Sequence, residues 1–306
     1  MNKIFYKTSD QPTLNTINRF VKGCWIDIVN PDVEDFKLLS EKLNLQPSVI
    51  EDILDANEIP KVEKIDENLL IILKIPTTKN KNKVLGNFAT IINPLCIVTI
   101  SSSENPVIIK VVNNFKDLNT NNKSKLFFNL LDTLSIYYRN NIERIVRDIE
   151  SQKKSLDQVN DSKITQLVMH EEQLNYYNLA VQPTKYIINK ILKGKTLPIF
   201  EEDEEDLQDI YEEFNQLAEI CILNLKGIVT LRDSYKILMD LNLNKTIKIL
   251  TSLTIIITIP TIVGSIFGMN VVFPMAMDTN GFYIIMFSII AIISFVIGVF
   301  YWKKWL

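Results

Sequence analysis

ILTSLTIIITIPTIVGSIFGMN, residues 249–270, is the stretch on which the chain turns. None of its residues is charged, and it is long enough to cross a bilayer as a helix, which takes about 20 apolar residues. It is not uniformly greasy. Thr251, Thr254, Thr258, Thr261 and Ser265 recur at alternating gaps of three and four. At about 100° per residue these hydroxyls fall within an arc of roughly 80°, which Gly268 extends. Ile255, Ile256, Ile257, Ile259 and Ile262 take most of the remaining circumference. Two readings fit such a stripe. Small and hydroxylated residues let membrane helices approach closely and bond back to their own carbonyls. Alternatively, several copies surround water, and each contributes one polar face to a pore wall.

Followed backwards, the same arc carries Leu250, Ile247, Asn244, Asp240, Ile237 and Asp233. The polar face therefore starts at acids that gather cations, narrows at Ile247 and Leu250, and continues as hydroxyls towards Asn270. A second apolar span covers Gly281 to Trp302 and ends in Lys303-Lys304-Trp305-Leu306. Lys245 and Lys248 precede the first span, whereas the intervening loop, 271–280, has no Lys or Arg. The positive-inside rule then puts both termini in the cytoplasm and the short loop outside.

Composition narrows the alternatives. The 306 residues carry a net charge of −3, so no global basic signal for nucleic acid exists. Only 8 residues are glycine, which favours long helices over turn-rich β structure. Cys24, Cys96 and Cys221 are widely spaced and odd in number, and read as buried free thiols. His170 is the single histidine and reads as solvated, which excludes a multi-histidine metal site within one chain. MNKIFYKTSD lacks an apolar core, so no cleavable signal peptide is expected. No nucleophile motif, Walker loop or dinucleotide fingerprint is present, so neither an enzyme nor an organic cofactor is expected.

Residues 1–120 read as an α/β domain. Strands are expected at Cys24–Val29, Leu69–Leu73, Asn87–Ile92 and Leu95–Ile100, and helices at Val33–Leu43, Ser48–Leu54 and Pro106–Phe115. Residues 121–248 read as a helical hairpin and a long stalk. Its helices are expected at Lys125–Val159, at Ser162–Leu192 with an irregularity at Pro183, and from Phe200 onward. If the last runs through Gly268, it spans roughly 100 Å at 1.5 Å per residue. The run Glu201-Glu202-Asp203-Glu204-Glu205-Asp206 reads as a solvated face at a helix start, where the macrodipole favours negative charge. Glu51 and Asp52 read as surface or capping residues.

Gly268-Met269-Asn270, preceded by Pro260-Thr261-Ile262-Val263-Gly264-Ser265-Ile266-Phe267, resembles the signature of the CorA magnesium channels and transporters. Trp25-Ile26-Asp27 with Pro31, Glu51-Asp52-Ile53-Leu54, Pro60-Lys61-Val62-Glu63, and the Lys-Lys-Trp-Leu ending also look like that family. The resemblance implies an α+β fold: a cytoplasmic α/β domain, a long helical stalk and two C-terminal transmembrane helices, assembled as a homopentameric channel. Span 249–270 would line the pore and span 281–302 would follow the loop. Gly268, Met269 and Asn270 would form the selectivity filter, with Gly268 and Asn270 holding Mg²⁺ through its water shell. Asp233-Ser234-Tyr235 and Asn244 match positions lining the inner pore. Asp209-Ile210-Tyr211 looks like the stalk motif whose Asp helps to hold a regulatory Mg²⁺ between subunits. Its usual partner is an Asp shortly after the strand matching Leu69 to Lys74, and here Lys79 falls there. Phe267 stands where Tyr is more usual, and the loop holds only Asp278 where many relatives carry glutamate.

The expected activity is Mg²⁺ uptake through a multi-pass plasma or inner membrane protein, with Mg²⁺ as cargo and as a candidate regulator. Its partners would be copies of itself, the bilayer and divalent cations, with no nucleic acid. The nearest alternative is a Co²⁺, Ni²⁺ or Zn²⁺ transporter of the same fold, although zinc-transporting relatives tend to show Gly-Ile-Asn where this chain keeps Met269. A membrane-anchored structural or sensor protein that moves no ion is a further alternative.

Overall fold

A computed structural model describes residues 2–8, 14–55, 58–79, 82–114, 118–154, 161–194, 197, 201–269 and 279–305. The chain divides into two compact units, Met1–Leu231 and Arg232–Leu306.

The first unit is built on a seven-stranded mixed sheet, in the order β2-β1-β3-β7-β6-β5-β4. The strands are β1 (Asn2–Tyr6), β2 (Asn15–Ile17), β3 (Cys24–Val29), β4 (Lys61–Ile65), β5 (Asn68–Lys79), β6 (Asn82–Ile92) and β7 (Cys96–Ser101). Parallel pairing joins β3 to β7, in the register Cys24↔Cys96 to Val29↔Ser101. All other neighbours are antiparallel, with β5 and β6 forming one long hairpin. The two central strands are buried on both faces, which is why Cys24–Val29 and Cys96–Ser101 read as near-continuous apolar runs rather than clean alternations.

Helices α1 (Val33–Leu43) and α2 (Pro47–Leu54) are set on one face. Their Leu39, Leu43, Val49 and Ile53, with Leu45 from the turn between them, bury against Ile26, Ile28, Leu70, Ile72, Ile91 and Val98. Asp32 starts α1 with a capping box: its carboxylate accepts from the Glu34 and Asp35 amides, and the Asp35 carboxylate accepts from the Asp32 amide. Asn44 ends α1 at φ 53°, a left-handed position that asparagine tolerates. Pro47 opens α2, where its missing amide costs nothing.

The remaining helices of the unit are α3 (Pro106–Asn114), α4 (Lys123–Lys153), α5 (Asp161–Gly194) and the first part of α6 (Glu201–Phe267). Tyr138 of α4 is fully buried and donates its hydroxyl to the Lys74 carbonyl of β5, tying hairpin to sheet. Its ring meets Tyr177 of α5 and Phe214 of α6 edge-on, at 6.0 and 6.1 Å between centroids. Arg139 is held by both oxygens of Glu213, fixing α4 to α6 by a fork that a lysine would not reproduce.

The sheet is wider than the sequence reading expected. Strands β1, β2 and β4 were not anticipated, because their short segments carry exposed polar residues and derive their order from pairing at the two edges. Pro183 sits inside an unbroken α5. His170 is half-buried, with Nδ1 shielded and without a hydrogen-bond partner, which corrects its reading as solvated. All three cysteines are buried and free, as expected. Asp52 is engaged at the surface, in an ion pair with Lys61 at 2.8 Å.

The second unit holds the C-terminal part of α6 and α7 (Thr279–Trp302). Both helices are long and apolar enough to cross a membrane. The helix α7 starts at Thr279, so the last two residues of the expected loop belong to its first turn. Residues 271–278 of that loop, Asp278 among them, lie outside the described residues.

Candidate functional site

The hydroxyl stripe forms one face of a continuous helix. Thr251, Thr254, Thr258, Thr261 and Ser265 are all exposed. Four of their hydroxyls donate to the carbonyl four residues earlier: Thr254 to Leu250 at 2.9 Å, Thr258 to Thr254 at 2.7 Å, Thr261 to Ile257 at 3.0 Å and Ser265 to Thr261 at 2.8 Å. Each such hydrogen is committed to the backbone. What the hydroxyl then presents outward is oxygen, an acceptor.

Burial shows which side of α6 is covered. Ser252 is fully buried, and Ile256, Ile259, Pro260 and Val263 are half-buried. At about 100° per residue these centre opposite the hydroxyl arc. On α7 the covered residues are Gly281, Ile285, Ile289, Ile293, Val296 and Phe300, again one stripe. On each helix the covered residues thus form a single stripe, and the hydroxyl face of α6 is not among them. Pro260 belongs to the covered side, where it deprives the Ile256 carbonyl of its usual donor. Ser252 was missed by the sequence reading. It interrupts the greasy side, its hydroxyl donates to the Lys248 carbonyl at 2.8 Å, and its small size suits a tight crossing.

The end of α6 tightens rather than unwinding. The Gly268 amide donates to the Gly264 carbonyl at 2.9 Å, and the Met269 amide to Ile266 at 3.3 Å. A Cβ on residue 268 would meet the Gly264 oxygen at 3.1 Å, closer than a side chain is comfortably accommodated. Met269 is exposed. Asn270, the expected centre of the filter, lies outside the described residues. The C-terminus of a long helix carries partial negative charge on its last carbonyls, which favours a cation there.

Towards the other end, Leu250, Ile247, Asn244, Asp240, Ile237 and Asp233 are all exposed on the continuation of the arc. Lys236 is exposed on it too. The sequence reading traced hydroxyls and acids and passed over this cation between them.

Asp209 sits elsewhere, in the first unit. With Asp206, Glu213 and Ile210 of α6 it faces Phe128, Asn129, Asp132, Ser135 and Ile136 of α4 across a cleft of about 430 Å³. Burial and the nearby Glu213 and Asp206 charges push the Asp132 carboxyl above its usual range. Among the described residues no three acidic, histidine or cysteine side chains converge closely enough to hold a metal. Among the described residues Asp209 therefore joins no such cluster. Lys79 ends β5 opposite Asn82. It lies within the hairpin because β5 runs on past Lys74 to Lys79. Of the acidic run, Asp203 is buried beside Lys125 at 3.8 Å, while Glu204, Glu205 and Asp206 are exposed.

A family model described as CorA-like Mg²⁺ transporter protein matches residues 22–304. The cobalt/magnesium transport protein CorA of Methanocaldococcus jannaschii is 26% identical over 294 residues, covering 92% of this chain and 91% of that one. The protein of the same name from Thermotoga maritima is 24% identical over 318 aligned positions, covering 98% and 88% respectively. In three dimensions the chain resembles the complete structure of the CorA magnesium transporter from Methanocaldococcus jannaschii, with a TM-score of 0.85, 22% identity, and coverage of 100% of this chain and 99% of that one.

Proposed function

The chain belongs to the CorA-like Mg²⁺ transporter family, and from that premise we propose that it forms a homopentameric channel for uptake of hydrated Mg²⁺. The observation that carries this reading is the uncovered hydroxyl face of α6. Two spans cannot enclose a pore, so copies must associate. Among the described residues, the polar stripe long enough to line a passage is an exposed one.

The chemistry fits the ion. Mg²⁺ gives up its inner waters reluctantly and prefers an octahedron of oxygen. Those waters are hydrogen donors. A wall of hydroxyls whose own hydrogens are tied to backbone carbonyls offers them acceptors, turn after turn. At the outer mouth, a ring of Gly268 carbonyls and Asn270 amides would grip the water shell without a carboxylate's strong hold on the ion. The ion would descend past Thr261, Thr258, Thr254 and Thr251. It would cross the apolar constriction of Leu250 and Ile247, then leave by Asn244, Asp240 and Asp233. With both termini cytoplasmic, a negative interior contributes about 4.6 kcal/mol per 100 mV for a doubly charged ion. Asp209 is a candidate for a regulatory Mg²⁺ shared with a neighbouring subunit.

Asn270→Ala tests the filter. Mg²⁺ flux through the reconstituted variant should fall to background while its elution as an oligomer is unchanged. Flux equal to wild type would remove Asn270 from the filter.

A further inference from the structure

Lys236 lies on the pore arc. It precedes Thr254 by 18 residues, which is five full turns at 3.6 residues per turn, so the two side chains leave α6 in the same direction. Asp233 precedes it by three residues and Asp240 follows it by four, on the same face. All three are exposed. Among the described residues the chain forms no ion pair between Lys236 and either acid, although both spacings permit one.

We propose that Lys236 is a tethered cation that competes with Mg²⁺ in the cytoplasmic leg of the pore. This rests on the channel reading above. Copies of α6 gathered around an axis turn each residue of the arc into a ring. The rings then alternate as acid, base and acid, about 4.5 and 6 Å apart along the helix. An ammonium on a flexible four-carbon stem reaches both neighbouring rings and occupies their carboxylates. An ion coming from the membrane meets Asp240 first, and it gains that carboxylate only by displacing Lys236. The acids alone would form a cation trap. Lys236 between them halves the net negative charge of the leg, which weakens ion binding and raises the Mg²⁺ concentration needed to fill it.

The test is Mg²⁺ influx into liposomes holding the full-length protein, measured against external Mg²⁺ under a fixed negative-inside potential. Lys236→Gln should lower the half-saturating Mg²⁺ by about threefold or more, as expected when a competing charge leaves a partly screened site. Lys236→Arg should stay near wild type. Adding Asp240→Asn to the glutamine variant should reverse the gain. Lys236→Ser carries the same expectation if the glutamine chain fails to assemble. An unchanged or raised half-saturation in an assembled neutral variant overturns the role of Lys236. Absence of Mg²⁺ influx through wild type as well would instead overturn the channel reading.

Discussion

Asp27 is the acid whose surroundings most clearly set its behaviour. It is 5% exposed on β3, and its carboxylate accepts from the Thr99 hydroxyl at 2.8 Å, which in turn accepts from the Trp25 indole at 3.0 Å. Burial pushes its pKa up to about 6, against the opposing pull of Thr99 and the Lys3 charge. The native state thus binds this proton more tightly than the unfolded chain does. The stabilisation is fully present below the unfolded value of 3.8 and is lost as pH rises through about 6. At about 1.4 kcal/mol per unit, the ionised form at neutral pH is disfavoured by about 2–3 kcal/mol. Asp27→Asn keeps an acceptor for Thr99 and carries no charge. In thermal unfolding of the detergent-solubilised protein, the variant should gain stability over wild type at pH 7.5 and lose most of that advantage near pH 4.5. An advantage that is constant across this range would remove Asp27 as its source. The Trp25-Ile26-Asp27 triplet was visible in the sequence, but its hydrogen-bonded chain was not, since Thr99 lies on a strand 72 residues away.

At the scale of elements, the long helices were the most legible part of the chain. Val33–Leu43 was found to the residue, and the start of α6 at Phe200 to within one, because uninterrupted 3.6-residue periodicity leaves little choice. The edge strands escaped because nothing local dictates them. Periodicity also found the hydroxyl arc, but it could not say whether that arc was covered or exposed. Only the burial of Ser252 and its neighbours separates the two sides. This yields a directional prediction. A cysteine at Thr254 should react with water-borne thiol reagents in the assembled protein. One at Ile256, about 200° around the helix, should be protected. The three native cysteines are buried and contribute little background. Protection at Thr254 with reaction at Ile256 would mean that the hydroxyl face is a dry packing surface.

At the scale of the whole molecule, the proposed pore needs several copies of the chain. The fold and the family were legible from Gly268-Met269-Asn270 in its place between two spans, and the family match over residues 22–304 bears that out. Regulation was less legible. Asp209 shares a cleft with Asp132 of α4 within its own unit, and among the described residues no closed metal site forms there; the proposed regulatory ion would take further ligands from another subunit. Lys79 adds none, since it carries no acceptor. The most direct measurement is Mg²⁺ influx into liposomes holding the purified oligomer, followed with a trapped indicator at low internal Mg²⁺. A channel for the hydrated ion predicts influx that a negative-inside potential accelerates and that hexa-ammine cobalt, a mimic of hydrated Mg²⁺, blocks. No influx through protein shown to be oligomeric would contradict it.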